Sequence, residues 1–175
     1  MTASDIPIGF EPHFRKSPLT DPWEPLYSRR TDKAVIIGLR LAKPHTNGRG
    51  LIHGGLIAAL SDNAMGYSCA HVMGGKSSLV TIGLAVDFIG TAEVGQWFAV
   101  ESEVIRTGRT ICFAQSLIKA DDVVIARANA TFRVVPKRGV VVIPGHASAW
   151  TRNLEIPGST PSDRASRGPV GVAPE

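Results

Sequence analysis

The chain has 175 residues and only two cysteines, Cys69 and Cys112. One falls in a helical pattern and the other in a strand pattern, which excludes a disulfide framework and a cysteine-based zinc cluster and points to a reducing compartment. No window reaches the ~18 consecutive apolar residues that span a bilayer. The opening "MTASDIPIGFEPHF" carries no basic run followed by an apolar stretch, so the chain reads as soluble and cytoplasmic, without a membrane partner. The five histidines include no His-Glu-x-x-His or other close ligand spacing, and no metal is implied. A Gly-x-Ser-x-Gly nucleophile turn is missing. "AHVMGGKS" imitates the end of a P-loop, but Ala70 stands where the first glycine belongs and a helical pattern precedes it instead of a strand. "SDN" at 61–63 lacks the companion Ser-x-x-Lys helix and Lys-Thr-Gly of a β-lactamase.

The charge balance is similarly sparse in information. A formal net charge of +4 and a pI near 9.4 suit a phosphate-bearing small molecule as well as nucleic acid. The 19 basic residues are scattered, with no stripe of Lys or Arg interleaved with aromatics, so no nucleic-acid partner is expected. A hydrophobic content of 43% over this length supports one sizeable core and leaves too little for two domains.

The patterning that is present gives an order of strand, long helix, then four strands. Residues 1–33 hold Pro7, Pro12, Pro18, Pro22 and Pro25 with several aromatics and no sustained period, which reads as an arm, extended or in a short helix, lying on the core. From Ala34 to Leu41 alternate residues are apolar, the mark of a half-buried strand. After the apolar run of residues 50–71, alternation returns with Val80, Ile82, Leu84, Val86 and Phe88 on one side and Thr81, Gly83, Ala85 and Asp87 on the other. Three more strands follow at 97–105, 111–118 and 123–135, parted by "RTGRT" and "ADD", so an antiparallel meander is predicted. Past Pro136 the pattern decays. "VVVI" at 140–143 is a candidate short strand, and the Pro-, Gly-, Ser- and Arg-rich residues 157–175 read as disordered or partner-dependent. No internal repeat is visible.

"GLIHGGLIAALSDNAMGYSCAH" poses the functional question. Its apolar residues spread around the circumference, predicting a helix enclosed by protein on most sides, with small residues that let a sheet come close. Asp62 in that setting costs several kcal/mol unless compensated. Either Ser61 or Asp62 caps a second helix starting at Asn63, or Asp62 lines a cleft as base or nucleophile, its pKa tuned by burial. The "HGG" upstream leaves the first amides of the helix open, which makes the Gly55 N–H a candidate oxyanion donor, although an ordinary tight turn explains the glycines too. Gly55 and Asp62 are seven residues apart, or ~10 Å along a helix, too far to meet on one carbonyl. If both serve one reaction, two helices must pair antiparallel about a two-fold axis, Gly55 of one chain facing Asp62 of the other.

"HTNGRGLIHGGLIAALSDNAMG", the strand "LVTIGLAVDF" and the hairpin "VIRTGRTICF" together resemble the hotdog-fold acyl-CoA thioesterases of the phenylacetate-pathway, PaaI-like type. The resemblance covers residues 34–135. It implies an α+β fold in which a long central helix is wrapped by a five-stranded antiparallel sheet, assembled as a homodimer or a dimer of dimers, and a hydrolase acting on acyl-CoA. Coenzyme A is then part of the substrate, and no separate cofactor is expected. Carried over, Asp62 activates water or attacks the carbonyl, and the Gly55 N–H holds the oxyanion. Asn47 and His53 orient the thioester, the leaving sulfur or the water. Thr81, on the strand face opposite the core-facing valines, supplies a hydroxyl near the attacking water. Arg106, Gly108 and Arg109 in the hairpin are the candidates for contact with the coenzyme A phosphates, against the plainer reading of exposed arginines beside a turn. His71 is expected at the helix C-terminus, against its dipole. The arm at 1–33 and the extension at 136–175 stand outside the resemblance and leave the acyl group open. Two alternatives remain: a hotdog dehydratase or hydratase acting further along the acyl chain, and a non-catalytic acyl-CoA-binding module.

Overall fold

A computed structural model of the chain describes residues 6–75 and 77–136. The sequence expectations for a strand at 140–143 and for the C-terminal extension lie outside these residues. Seven strands form one antiparallel sheet: β1 (Glu11–Pro12), β2 (Tyr27–Arg30), β3 (Val35–Arg40), β4 (Ser77–Phe88), β5 (Trp97–Thr107), β6 (Ile111–Ala120) and β7 (Val123–Pro136). Their spatial order is β1-β2-β3-β5-β6-β7-β4. One α-helix among the described residues, α1 (Gly54–Val72), packs on one face. The hotdog architecture expected from the sequence is therefore present, with seven strands where five were expected. The extra two come from the arm: Tyr27–Arg30 pairs with β3, and Glu11–Pro12 pairs in turn with β2. Five prolines hid them, because proline removes ladder donors and confines such strands to sheet edges.

Helix α1 runs without a break through Ser61, Asp62 and Asn63, so the two-helix reading does not hold. Leu56, Ile57, Leu60, Ser61, Ala64, Met65, Ser68 and Cys69 are its buried residues. Their spacing of one, then three, then one draws a single broad stripe. The sheet covers the helix along this stripe and no residue from Leu56 to Ala70 is exposed, in keeping with a helix enclosed on most sides; Asp62, Asn63, Gly66 and Tyr67 are half-buried along its margin. Across the stripe lie Val100, Ile118, Ala126, Phe98 and Phe132, all but sealed from solvent. Ser68 pins the helix to the sheet: its Oγ accepts from Val35 N at 2.9 Å and lies 2.7 Å from the Ala64 carbonyl, to which it donates.

The meander closes as its turn chemistry requires. Asp121 and Asp122 both have positive φ, 44° and 69°, the conformation that a two-residue hairpin with matching twist demands. Asp121 accepts from Trp97 N at 2.8 Å, tying the β6–β7 turn to the start of β5.

One irregularity bears on function. Opposite β7, Thr81 faces Phe132 and Gly83 faces Thr131, so Ile82 is the extra residue of a β-bulge. Before the bulge Leu79 and Thr81 face the helix; after it Leu84, Val86 and Phe88 do, because each lies opposite the helix-facing even-numbered residues of β7. The unbroken alternation expected from the sequence is therefore wrong at Val80 and Ile82, and Thr81 does not sit on the face opposite the core. It points at α1.

Candidate active site

Asp62 emerges from the middle of α1 toward β4, and Thr81 Oγ1 donates to its Oδ1 at 2.7 Å. The bulge makes this contact, since an unbulged strand would leave either Thr81 or the residues after it facing away from the helix. The Asp62 carboxylate is half-buried and not sealed, so the compensation it needs is modest: one hydroxyl donor and the open side of a cleft of about 230 Å³. Asn63, Gly66 and Tyr67 from α1, Leu79 from β4 and Arg15 from the arm also line that cleft.

The second group of candidates lies at the other end of the helix. His53 is the N-cap of α1, and its Nδ1 accepts from Gly55 N at 2.9 Å. The Gly55 amide is thus already engaged, by an exposed imidazole that a side-chain rotation removes. Asn47 Oδ1 accepts from Arg49 N at 2.9 Å and from Leu51 N at 3.4 Å, an Asx-type turn that shapes the loop into α1. Phe88, at the far end of β4, packs against this end of the helix: a Cβ on Gly54 would come within 3.2 Å of its ring. One protomer therefore brings Asp62 to Thr81 but leaves Asn47, His53 and Gly55 apart from them, about two helical turns away.

The hairpin residues fall at the Asp62 end. Ile111 pairs with Arg133, which pairs with Val80 next to Thr81. Gly108 N donates to Ile111 O at 2.9 Å, and a Cβ at Gly108 would lie 2.8 Å from that oxygen, so only glycine fits the turn. Arg106 and Arg109 flank it, both exposed. His71, in the last turn of α1, has its Nε2 2.9 Å from the Thr31 carbonyl.

Sequence reasoning passed over His45 and Tyr67. His45 is 3% exposed. Its Nδ1 accepts from Ala42 N at 2.9 Å, which fixes the other nitrogen as Nε2–H, donating to Trp23 O at 3.1 Å. Its own carbonyl accepts from His53 N at 3.0 Å. One neutral imidazole thus joins the arm to the loop that sets the helix N-terminus. Its only sequence signal was a histidine within the Pro-rich break "KPHTNG". Burial pushes its pKa down, and the Trp23 carbonyl opposes this. His13 is lowered as well, by burial first and with Arg30 and Arg15 adding to it, against Glu24. With the folded pKa below the unfolded one, the unfolded chain takes up more protons as pH falls, so this stability is present above about pH 6.5 and is lost below it. Thermal melts between pH 7.5 and pH 5 are expected to show it. His45→Asn keeps an acceptor for Ala42 but strands the Trp23 carbonyl: it lowers stability at pH 7.5 by about 1–3 kcal/mol and flattens the acid slope relative to wild type.

Comparison with known proteins agrees with this fold and this helix. Residues 49–127 match the model of the Thioesterase superfamily. A protein of Pseudomonas aeruginosa named as an esterase, PA0474, is 34% identical over 131 residues, 74% of this chain and 98% of its own. Among solved structures, a thioesterase-type protein of Streptococcus pneumoniae crystallised with coenzyme A superposes with a TM-score of 0.60 at 18% identity, over 67% of this chain and 94% of that one. The Escherichia coli PaaI protein superposes with a TM-score of 0.55 at 17% identity, over 59% and 74%. The chain belongs to the hotdog-fold thioesterase superfamily.

Proposed function

We propose that this thioester hydrolase cleaves acyl-CoA thioesters at sites shared between the two chains of a homodimer. The observation that carries the reading is the position of the Asp62–Thr81 pair beside a sheet edge left unpaired among the described residues. β4 ends the sheet, and Val80, Ile82, Leu84 and Phe88 along it are 39–58% exposed. A long apolar edge with free backbone groups invites another strand. A second copy of β4, antiparallel about a two-fold near the strand centre, satisfies both its ladder and its apolar side chains. Thr81 and Phe88 lie on opposite sides of that centre, so the same two-fold carries the Asp62 end of one chain toward the Gly54–Gly55 end of its partner. The outer-face Phe113 and Leu117, 43% and 47% exposed, offer a surface for a further pairing into a dimer of dimers.

The chemistry follows from that juxtaposition. The thioester carbonyl enters where His53 now caps the helix; the imidazole rotates away and the Gly55 N–H takes the oxygen, which gains charge as the carbonyl carbon becomes tetrahedral. Asp62, oriented by Thr81, accepts a proton from water while the water oxygen bonds to that carbon; attack by the carboxylate itself is the other route. The C–S bond then breaks, the electron pair leaves on sulfur, and the proton passes to the thiolate. Asn47 meets the thioester through the amide nitrogen that its turn leaves unused. Arg106 and Arg109, around the Gly108 turn, face the phosphates of coenzyme A. The structural neighbour crystallised with coenzyme A supports that ligand class.

Incubation with a panel of acyl-CoAs and a thiol-reactive chromophore is expected to show stoichiometric release of free coenzyme A. Consumption of the acyl chain without thiol release would instead assign a hydratase or dehydratase, and binding without turnover a sensor.

A further inference from the structure

The arm does more than extend the sheet. His13 N donates to Leu26 O at 2.9 Å, which fixes the arm where it crosses α1. From there the His13 ring lies 4.6 Å from Phe14 and 5.5 Å from Tyr67, and the Phe14 ring stands edge-on to Tyr67 at 5.5 Å. Arg30 from β2 covers Phe14 at 4.1 Å. These rings clamp the arm onto Tyr67, five residues beyond Asp62. The next residue, Arg15, rests its guanidinium 5.8 Å from the Tyr67 ring centre and lines the same cleft as Asp62 and Thr81. It makes no hydrogen bond or ion pair among the described residues.

We propose that Arg15 is a specificity residue that selects acyl groups ending in a carboxylate. This rests on the reading of Asp62 as the reacting acid. Arg15 is exposed where it lines the cleft, and a guanidinium resting against a ring presents a donor fork that fits a planar oxyanion in a bidentate manner. That anion is part of the substrate. Its place is the acyl side and not the nucleotide side, because Arg15 shares a cleft with Asp62, the residue that meets the thioester in the proposed reaction. A substrate carboxylate also needs a cation there, since it shares the cleft with Asp62 and would otherwise meet only like charge.

The test compares glutaryl-CoA with its neutral terminal-amide analogue, each also as the pantetheine thioester that lacks the nucleotide. Arg15→Gln is expected to lower kcat/KM for the carboxylate relative to the amide by about tenfold or more, chiefly through KM, in both the coenzyme A and pantetheine series. Arg15→Lys should recover part of the loss. Equal losses on carboxylate and amide would overturn the proposal and reduce Arg15 to a clamp for the arm. A loss confined to the coenzyme A series would move its contact to phosphate and overturn it as well. Calorimetric binding of the non-cleavable thioether analogues separates this from the hydrolase reading: charge-selective binding without turnover of any thioester contradicts the hydrolase and leaves Arg15 in its role, whereas turnover without charge selectivity does the reverse.

Discussion

Asp62→Asn lowers kcat for thioester hydrolysis by about 10³-fold, within the ~10²–10⁴-fold span of positioned acid–base groups, while KM changes little. The side chain keeps its shape and retains an oxygen to accept from Thr81 Oγ1, so the melting temperature should stay close to that of wild type. What the variant loses is the ability to take a proton from water or to attack carbon. Asp62→Ala removes the Thr81 contact too and adds a stability loss of about 1 kcal/mol. Steady-state kinetics on any cleaved acyl-CoA, together with thermal melts, check both halves. An Asp62→Asn protein that still released coenzyme A at the wild-type rate would remove Asp62 from the reaction.

A single charge at the middle of β4 is the second large effect. Ile82 is the bulged residue, 57% exposed within its own chain, so Ile82→Lys has little to disturb there. Placed against a two-fold copy of the same strand, it sets a desolvated ammonium beside its symmetry mate, which costs several kcal/mol per dimer. The variant is expected to elute as a monomer of unchanged far-UV circular dichroism and to lose at least ~10²-fold of its activity, because each half-site is then without its complement. A dimer that persisted with full activity would show that β4 is not the interface.

Much of this was legible in the residues. The order of one helix between a first strand and a four-strand meander followed from two periods, 3.6 and 2, which hydrophobic burial imposes directly on composition. The separation of the mid-helix acid from the glycine-opened helix start was also readable, because the ~10 Å between Gly55 and Asp62 follows from helix rise alone. The bulge at Ile82 was not. Nothing in "LVTIGLAV" marks the extra residue, since a bulge is set by how β7 lies against β4 and leaves the alternation of the sequence intact. Faces were therefore assigned wrongly before it, and Thr81 was set on the wrong side of the strand. The arm's two strands escaped for a related reason: short edge strands containing proline have neither the length nor the donors to produce a pattern. Arg15 is distant in sequence from Tyr67 and Asp62, and only the path of the arm brings it to them. The capping of Gly55 by His53 depends on a single side-chain torsion, which no spacing encodes.

The most direct measurement mixes two inactive chains. Gly55→Pro removes the proposed oxyanion amide at a first-turn position where helices tolerate proline, and Asp62→Asn removes the acid. Each homodimer should be inactive. In a heterodimer formed by co-expression or refolding, one shared site carries both changes and the other carries neither, so a statistical mixture should regain about a quarter of the wild-type rate per chain. Mixtures shown to contain heterodimers that stay as inactive as their parents would contradict a site built from two chains.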